Sequence, residues 1–134
     1  MRRLRTTLIA ALALAAAGLA ATRPAQAHHS VNAMYDLTKI VTLTCTVRSL
    51  ELGSPHSLLV VEVRASPDTD DSWQVELPSV SFLARAGWND KSLVPGQQIK
   101  ITGSPARHSA SQLYVRSIAR SDGTQLALLP TPPP

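Results

Sequence analysis

The side chains in this sequence best suited to metal chemistry are its four histidines, His28, His29, His56 and His108. A neutral imidazole is the commonest metal ligand in proteins, and it suits copper, zinc, iron and nickel. His28 and His29 are adjacent, whereas the other two lie far along the chain, so only folding can gather them. The sequence predicts a metal site built from His28, His29 and His56, with His108 as a further candidate ligand. The alternative is that these histidines are solvated or hydrogen-bonded without a metal.

The first 27 residues have the three regions of an export signal. Arginines at the start precede an apolar run of 14 residues, 8–21, and Ala25-Gln26-Ala27 supplies the small residues of a cleavage site. A spanning helix needs about 20 apolar residues. We therefore expect residues 1–27 to be a cleaved signal peptide rather than a membrane anchor. Cleavage between Ala27 and His28 would leave a periplasmic or secreted protein without a membrane span.

Cleavage would also give His28 a free amino group beside its imidazole. The pKa of such a group is about 7.7, so a useful fraction is neutral and able to bind metal. Copper(II) favours amine and imidazole nitrogen and heads the affinity order for such ligands. In one mode, the amine and imidazole of His28 bind with another imidazole, as in a histidine brace. In the other, the ligands are the amine, the intervening amide and the imidazole of His29. Copper is therefore the predicted metal.

The basic residues of the chain are concentrated at its start. There are 13 lysines and arginines against 9 acidic residues, but four of the 13 lie in the first 27 residues, which contain no acid. The remaining chain carries equal numbers of basic and acidic residues, so its formal charge is zero. Nucleic-acid phosphates require a clustered excess of cations, so this balance argues against a nucleic-acid-binding protein.

Alternating apolar and polar residues predict five strands and one helix. In the first strand Leu43 and Cys45 alternate with threonines, which indicates a strand with one buried face. The helix is predicted to begin after Pro78-Ser79 and to end at Gly87. The strands are predicted at residues 40–48, 58–64, 73–77, 97–103 and 113–119, the last with a bulge near Ser117.

One helix between the third and fourth of five strands is the order of an OB-fold, a small all-β barrel. A simple antiparallel sheet with a packed helix has the same order, but a barrel leaves no exposed strand edges. We predict an N-terminal arm at 28–39, an OB-like barrel at 40–122 and a flexible proline-rich tail at 123–134. His56 and His108 would then lie in the loops after strands one and four, which flank the usual ligand-binding face.

The sulfur-containing side chains of the predicted domain are Cys45 and Met34. Cys45 is the sole cysteine, so no intramolecular disulfide can form. Its place on the apolar face of a strand predicts a buried hydrophobic residue, with a reactive thiol or metal ligand as the alternative. Met34 would offer a thioether to copper(I), although a methionine beside Tyr35 also suits packing.

Six segments, taken in order, carry a family resemblance: His28-His29-Ser30, Met34-Tyr35-Asp36, Val41-Thr42-Leu43-Thr44, Ser54-Pro55-His56, and residues 83–88 and 92–107. Together they resemble a family of small exported bacterial proteins, domain of unknown function 6152. Members of that family typically begin the mature chain with His-His-Ser and carry Asn-Pro-His where this sequence has Ser54-Pro55-His56. The departure keeps the histidine and loses an amide. The resemblance implies no settled activity.

The sequence favours binding over catalysis. It has no recognisable Ser/His/Asp elbow, no Gly-rich phosphate loop and no carboxylate pair framed by apolar residues. Trp88 and Arg107 are weaker ligand-binding candidates, with packing and a solvated face as the respective alternatives. The first hypothesis is an exported copper-binding protein without enzymatic activity. The second is a periplasmic module that binds a protein or small organic ligand, and the third is a brace-type copper oxidoreductase.

Overall fold

The computed structural model describes residues 31–66 and 69–129. The predicted signal peptide 1–27, His28, His29 and the proline-rich end 130–134 lie outside the described residues. The described residues form two short helices and six strands: α1 (Val31–Met34), β1 (Val41–Glu51), β2 (Ser57–Ser66), β3 (Thr69–Leu77), α2 (Val80–Arg85), β4 (Gln98–Pro105), β5 (Gln112–Arg120) and β6 (Gln125–Leu126). Neither α1 nor α2, the helices of the described part, has the length and apolar character needed to cross a membrane.

The strands form a closed barrel. They hydrogen-bond in the order β3-β2-β1-β4-β5-β6, and β3 also pairs with β5 in parallel, which joins the two ends of the sheet. All other strand pairs are antiparallel. Five strands close the barrel, with α2 between β3 and β4, so the predicted OB-like all-β architecture is confirmed.

The barrel interior is filled by the apolar residues of the alternating strands. In β1, Leu43, Cys45 and Val47 are buried while Thr42 and Thr44 are exposed, as the period of two requires. Full burial of one large aliphatic side chain contributes about 1.5–3 kcal/mol, so these layers supply most of the driving force. The core also includes Leu59, Val61, Val75, Leu77, Leu83, Trp88, Leu93, Ile99, Ile101, Leu113, Val115 and Ile118.

The bulge predicted near Ser117 is present where β5 pairs with β4. Thr102 pairs with Ser117 and Gly103 pairs with Val115, so Arg116 has no partner on β4. The backbones approach closely here, because a Cβ on Gly103 would lie 2.7 Å from a carbonyl oxygen of β5. Only glycine fits this approach without a shift of the strand.

The predicted flexible tail at 123–134 is wrong for residues 123–129. Leu126 of β6 pairs with Ile118, and both Leu126 and Leu128 pack against the core. The indole Nε1 of Trp88 donates a hydrogen bond to the carbonyl oxygen of Ala127 at 2.6 Å. These leucines cover apolar surface that the barrel would otherwise expose, and burial of that surface offsets the entropy of ordering the segment.

Candidate functional site

A pocket of about 210 Å³ lies where the N-terminal arm meets the loop before β2, the strand β3 and the start of β5. We call it the loop pocket. It is bounded on one side by the arm and on the other by the loop before β2, one of the two loops expected to flank the ligand-binding face of this barrel. The loop pocket is lined by Met34, Tyr35, His56, Ser57, Leu58, Gln74, Glu76 and Gln112.

The imidazole of His56 is held by Glu76 at the edge of this pocket. His56 Nδ1 lies 3.1 Å from Glu76 Oε1, and the side chains are 46% and 18% exposed, respectively. Because a carboxylate oxygen accepts hydrogen bonds, a ring with one proton in this position would carry it on Nδ1 and keep its lone pair on Nε2.

Glu76 is itself fixed by a second donor from the arm. The hydroxyl of Tyr35 donates to Glu76 Oε2 at 2.6 Å, so both carboxylate oxygens are engaged. Tyr35 is only 4% exposed. This burial, together with the hydrogen bond to Glu76, raises the pKa of the Tyr35 hydroxyl well above its usual value. The phenol therefore stays a protonated donor at neutral pH.

The loop that carries His56 is anchored at its base. Ser57, which is 1% exposed, accepts a hydrogen bond through Oγ from the amide of Gly53 at 3.2 Å. The carbonyl oxygen of Gly53 accepts from the amide of Val80 at 2.8 Å, which ties the loop to the first residue of α2. His56 is therefore presented by a loop with satisfied backbone groups, although its own side chain is half exposed.

The N-terminal arm docks along the loop between β4 and β5. Tyr35 forms an isolated β-bridge with Ala106, and its ring lies 5.5 Å from that of Tyr114. The amide of Asp36 donates to the carbonyl oxygen of Pro105 at 2.9 Å. These contacts set the position of Tyr35 relative to Glu76.

Arg107, predicted as a weak ligand-binding residue, lies on this arm. Its amide donates to the carbonyl oxygen of Met34 at 2.9 Å and its Nε to that of Asn32 at 3.1 Å. The guanidinium also lies 3.9 Å from the carboxylate of Asp36. Hydrogen bonds from Thr38, supported by nearby positive charge, hold the pKa of Asp36 below its usual value. Arg107 therefore binds the arm through these contacts.

The other predicted site residues do not join His56 in the loop pocket. His108 is exposed in the loop between β4 and β5 and does not line the pocket. Trp88 is 6% exposed and packs in the core, which agrees with the packing alternative. His28 and His29 lie outside the described residues. Within 31–66 and 69–129, no three His, Cys, Asp or Glu side chains are grouped closely enough to hold a metal ion.

Glu76 and Tyr35 are the site residues that sequence reasoning missed. Glu76 falls within the strand predicted at 73–77, and Tyr35 is notable in the sequence only as a neighbour of Met34. One signal was available for Glu76: the antiparallel hairpin of β2 and β3 sets Leu58 opposite Glu76, so His56, two residues before Leu58, is a diagonal neighbour of Glu76. No sequence signal indicated the contact between Tyr35 and Glu76, which are 41 positions apart.

Cys45 has the buried position predicted for it. Its side chain is 5% exposed, and the thiol donates a long hydrogen bond of 3.7 Å to the carbonyl oxygen of Ile99. Burial raises the pKa of the thiol to about 11. The thiol is therefore neutral at physiological pH, and neutral thiols are poor nucleophiles and poor metal ligands.

Comparison with known proteins gives a match to a protein family. The model of DUF6152, a family of unknown function, matches residues 16–114. No curated protein and no solved structure matches the chain. The matched segment spans most of the 134 residues and includes all four histidines. The chain therefore belongs to the DUF6152 family.

Proposed function

We propose that this is an exported copper-binding protein whose site combines His56 with His28 and His29 at the processed N-terminus. The observation that carries the proposal is the contact between His56 Nδ1 and Glu76. Metal-binding histidines almost always donate their second ring N–H to a carboxylate, a carbonyl or water, which fixes the tautomer and makes the other nitrogen more basic. His56 has this arrangement, with Nε2 left for a metal.

The docked arm supports the participation of His28 and His29. Met34 and Tyr35, at the end of α1 and directly after it, line the same pocket as His56. His29 precedes Val31 by two positions, or about 7 Å of extended chain. The four residues of α1 add about 6 Å at a helical rise of about 1.5 Å per residue. The distance along the chain from His29 to the pocket is therefore short.

The donor set favours copper over harder cations. The proposed ligands are imidazole nitrogens and, after cleavage at Ala27, the amino group of His28. Copper(II) prefers such nitrogen ligands, whereas calcium and magnesium require several oxygen ligands. Glu76 Oε2 accepts a hydrogen bond from Tyr35 and Oε1 lies 3.1 Å from His56 Nδ1, so the carboxylate serves the imidazole rather than the metal. We propose binding without turnover as the role of this site.

The test requires protein purified after export, because an added N-terminal methionine would block the amino group of His28. Mass spectrometry should give His28 as the first residue, and one equivalent of copper(II) should produce a nitrogen-rich EPR spectrum. We expect the nitrogen signal to be lost in the His28→Ala, His29→Ala double variant and to lose one imidazole contribution in His56→Ala. His108→Ala is the matched control and should leave the spectrum unchanged. Failure to bind copper(II) below micromolar concentration overturns the proposal.

The second candidate function is a periplasmic module that binds a small organic ligand in the loop pocket without metal. The pocket has apolar walls and adjacent amide groups, since Gln112 Nε2 donates to Gln74 Oε1 at 3.0 Å. Its volume of about 210 Å³ is smaller than that of ordinary ligand pockets, so the ligand would be small. Ligand binding that persists in the His28→Ala, His29→Ala double variant and in the presence of a chelator would favour this function.

A further inference from the structure

Met34 has an exposed side chain and lines the same pocket as His56. It is 41% exposed although it is apolar. None of the residues of α1 is buried, so Met34 does not belong to the core. Its backbone is nevertheless fixed, because its carbonyl oxygen accepts a hydrogen bond from the amide of Arg107 at 2.9 Å. The arm thus places a thioether at the loop pocket and leaves it exposed.

Several oxygens around the pocket already have polar partners. The two oxygens of Glu76 face Tyr35 and His56, and Gln74 Oε1 accepts a hydrogen bond from Gln112. The soft and borderline ligands among the lining residues are the thioether of Met34 and the imidazole of His56. Thioether sulfur selects copper(I), and imidazole binds copper in either oxidation state. Copper(I) is also stable with fewer ligands than copper(II), so two side chains suffice to start such a site.

We propose that Met34 and His56 form a copper(I)-binding pair in the loop pocket. The pair rests on the proposed function in taking copper as its metal, but it does not require His28, His29 or the free amino group. It extends that function by giving the protein a site for the reduced ion. Apolar walls formed by Leu58 and the Tyr35 ring favour the singly charged ion over the doubly charged one, since desolvation costs less for the lower charge.

The test uses copper(I) supplied anaerobically against the competing chelator bicinchoninate, with exported protein carrying the His28→Ala, His29→Ala double substitution. This background removes both imidazoles of the terminus and leaves the pair intact. We expect it to retain one equivalent of copper(I). Adding Met34→Leu or His56→Ala to the background should weaken copper(I) binding about tenfold or more. His108→Ala is the matched histidine control and should change nothing.

X-ray absorption at the copper edge supplies an independent readout. The copper(I) complex of the background protein should show one sulfur and at least one nitrogen neighbour, and Met34→Leu should remove the sulfur. Leucine has a similar volume and Met34 is exposed, so the variant is expected to fold normally, and circular dichroism checks this. Copper(I) affinity that is unchanged by Met34→Leu, or a spectrum without sulfur, overturns the inference.

The two proposals fail in different ways. If the protein with all its histidines binds no copper(II) while the background retains copper(I) through Met34, the nitrogen site is wrong and the pair stands. If copper(II) binds as proposed but Met34→Leu leaves copper(I) binding unchanged, the pair is wrong and the nitrogen site stands.

Discussion

Two segments outside the five barrel strands close this fold, and they do so in chemically different ways. The arm places buried Tyr35 on the barrel, and the C-terminal segment 123–129 covers buried Trp88. Each aromatic ring makes one hydrogen bond of 2.6 Å through its polar group. Trp88 donates to a backbone carbonyl, whereas Tyr35 donates to the carboxylate of Glu76, which in turn holds an exposed imidazole.

This difference separates a contact that only stabilises the fold, at Trp88, from a candidate binding site, at Tyr35. The hydrogen bond of Trp88 ends at Ala127 and its neighbours are apolar, so nothing there is available to a ligand. The chain of contacts from Tyr35 passes through Glu76 to His56 and ends at a ring nitrogen in the loop pocket. A buried aromatic residue is therefore informative about function only when its polar partner leads to an exposed group.

The largest expected effect is on stability, where the C-terminal segment covers Trp88. Trp88→Ala removes a buried ring and its contact with the C-terminal segment, and we expect a loss of about 3–5 kcal/mol in the free energy of unfolding. Copper affinity of the folded fraction should not change, because Trp88 does not line the loop pocket. Urea denaturation and copper titration measure the two quantities. A variant with normal stability and weakened copper binding would show that Trp88 belongs to the binding site and not to the structural core.

An intermediate effect is expected at Glu76, on binding rather than on folding. Glu76→Gln keeps the size of the side chain but removes the negative charge that orients the imidazole of His56. Loss of such a carboxylate typically weakens metal binding about 10–100-fold. Isothermal titration with copper(II) measures the change, and Glu62→Gln, on the neighbouring strand β2 and outside the loop pocket, is the control. Equal affinities in the two variants would show that Glu76 does not act through His56.

The smallest expected effect comes from one hydroxyl group. Tyr35→Phe keeps the ring but leaves one oxygen of Glu76 without its donor, which we expect to cost about 1 kcal/mol in stability. Copper(II) affinity should fall by less than in Glu76→Gln, because His56 keeps its contact with the other oxygen. Tyr114→Phe removes a hydroxyl from the ring that packs on Tyr35 and serves as the control. If both variants bind and unfold alike, the contact between Tyr35 and Glu76 has no functional weight.

Most of the barrel was predictable because apolar and polar residues alternate along its strands, and the apolar ones are the buried ones. The strands, the helix that ends just before Gly87 and the bulge near Ser117 all follow from local patterns. The ordered segment 123–129 was missed because a two-residue strand before a proline-rich end has too little pattern to detect. Its order depends on contacts with Trp88 and Ile118, which only the folded barrel provides.

The candidate site was predictable in part, for a related reason. Strand order alone placed His56 in a loop at the ligand-binding edge of the barrel. It placed no partner beside it, since Tyr35 and Glu76 meet only after the arm has docked. Arg107 was predicted as a weak ligand-binding residue, or as part of a solvated face, because its partners come from that same docking. These partners are the carbonyl oxygen of Asn32 and the carboxylate of Asp36. Side-chain networks that join distant segments carry no periodic signal in the sequence.

The burial of Cys45 has a practical consequence for any protein that meets copper in air. Copper(II) oxidises accessible thiolates, which generates reduced metal and cross-linked chains. Here the sole thiol of the chain is shielded inside the barrel and stays protonated below its pKa of about 11. Copper(II) titrations of the folded protein therefore need no protecting reductant, and any copper(I) formed during them has a source other than this sulfur.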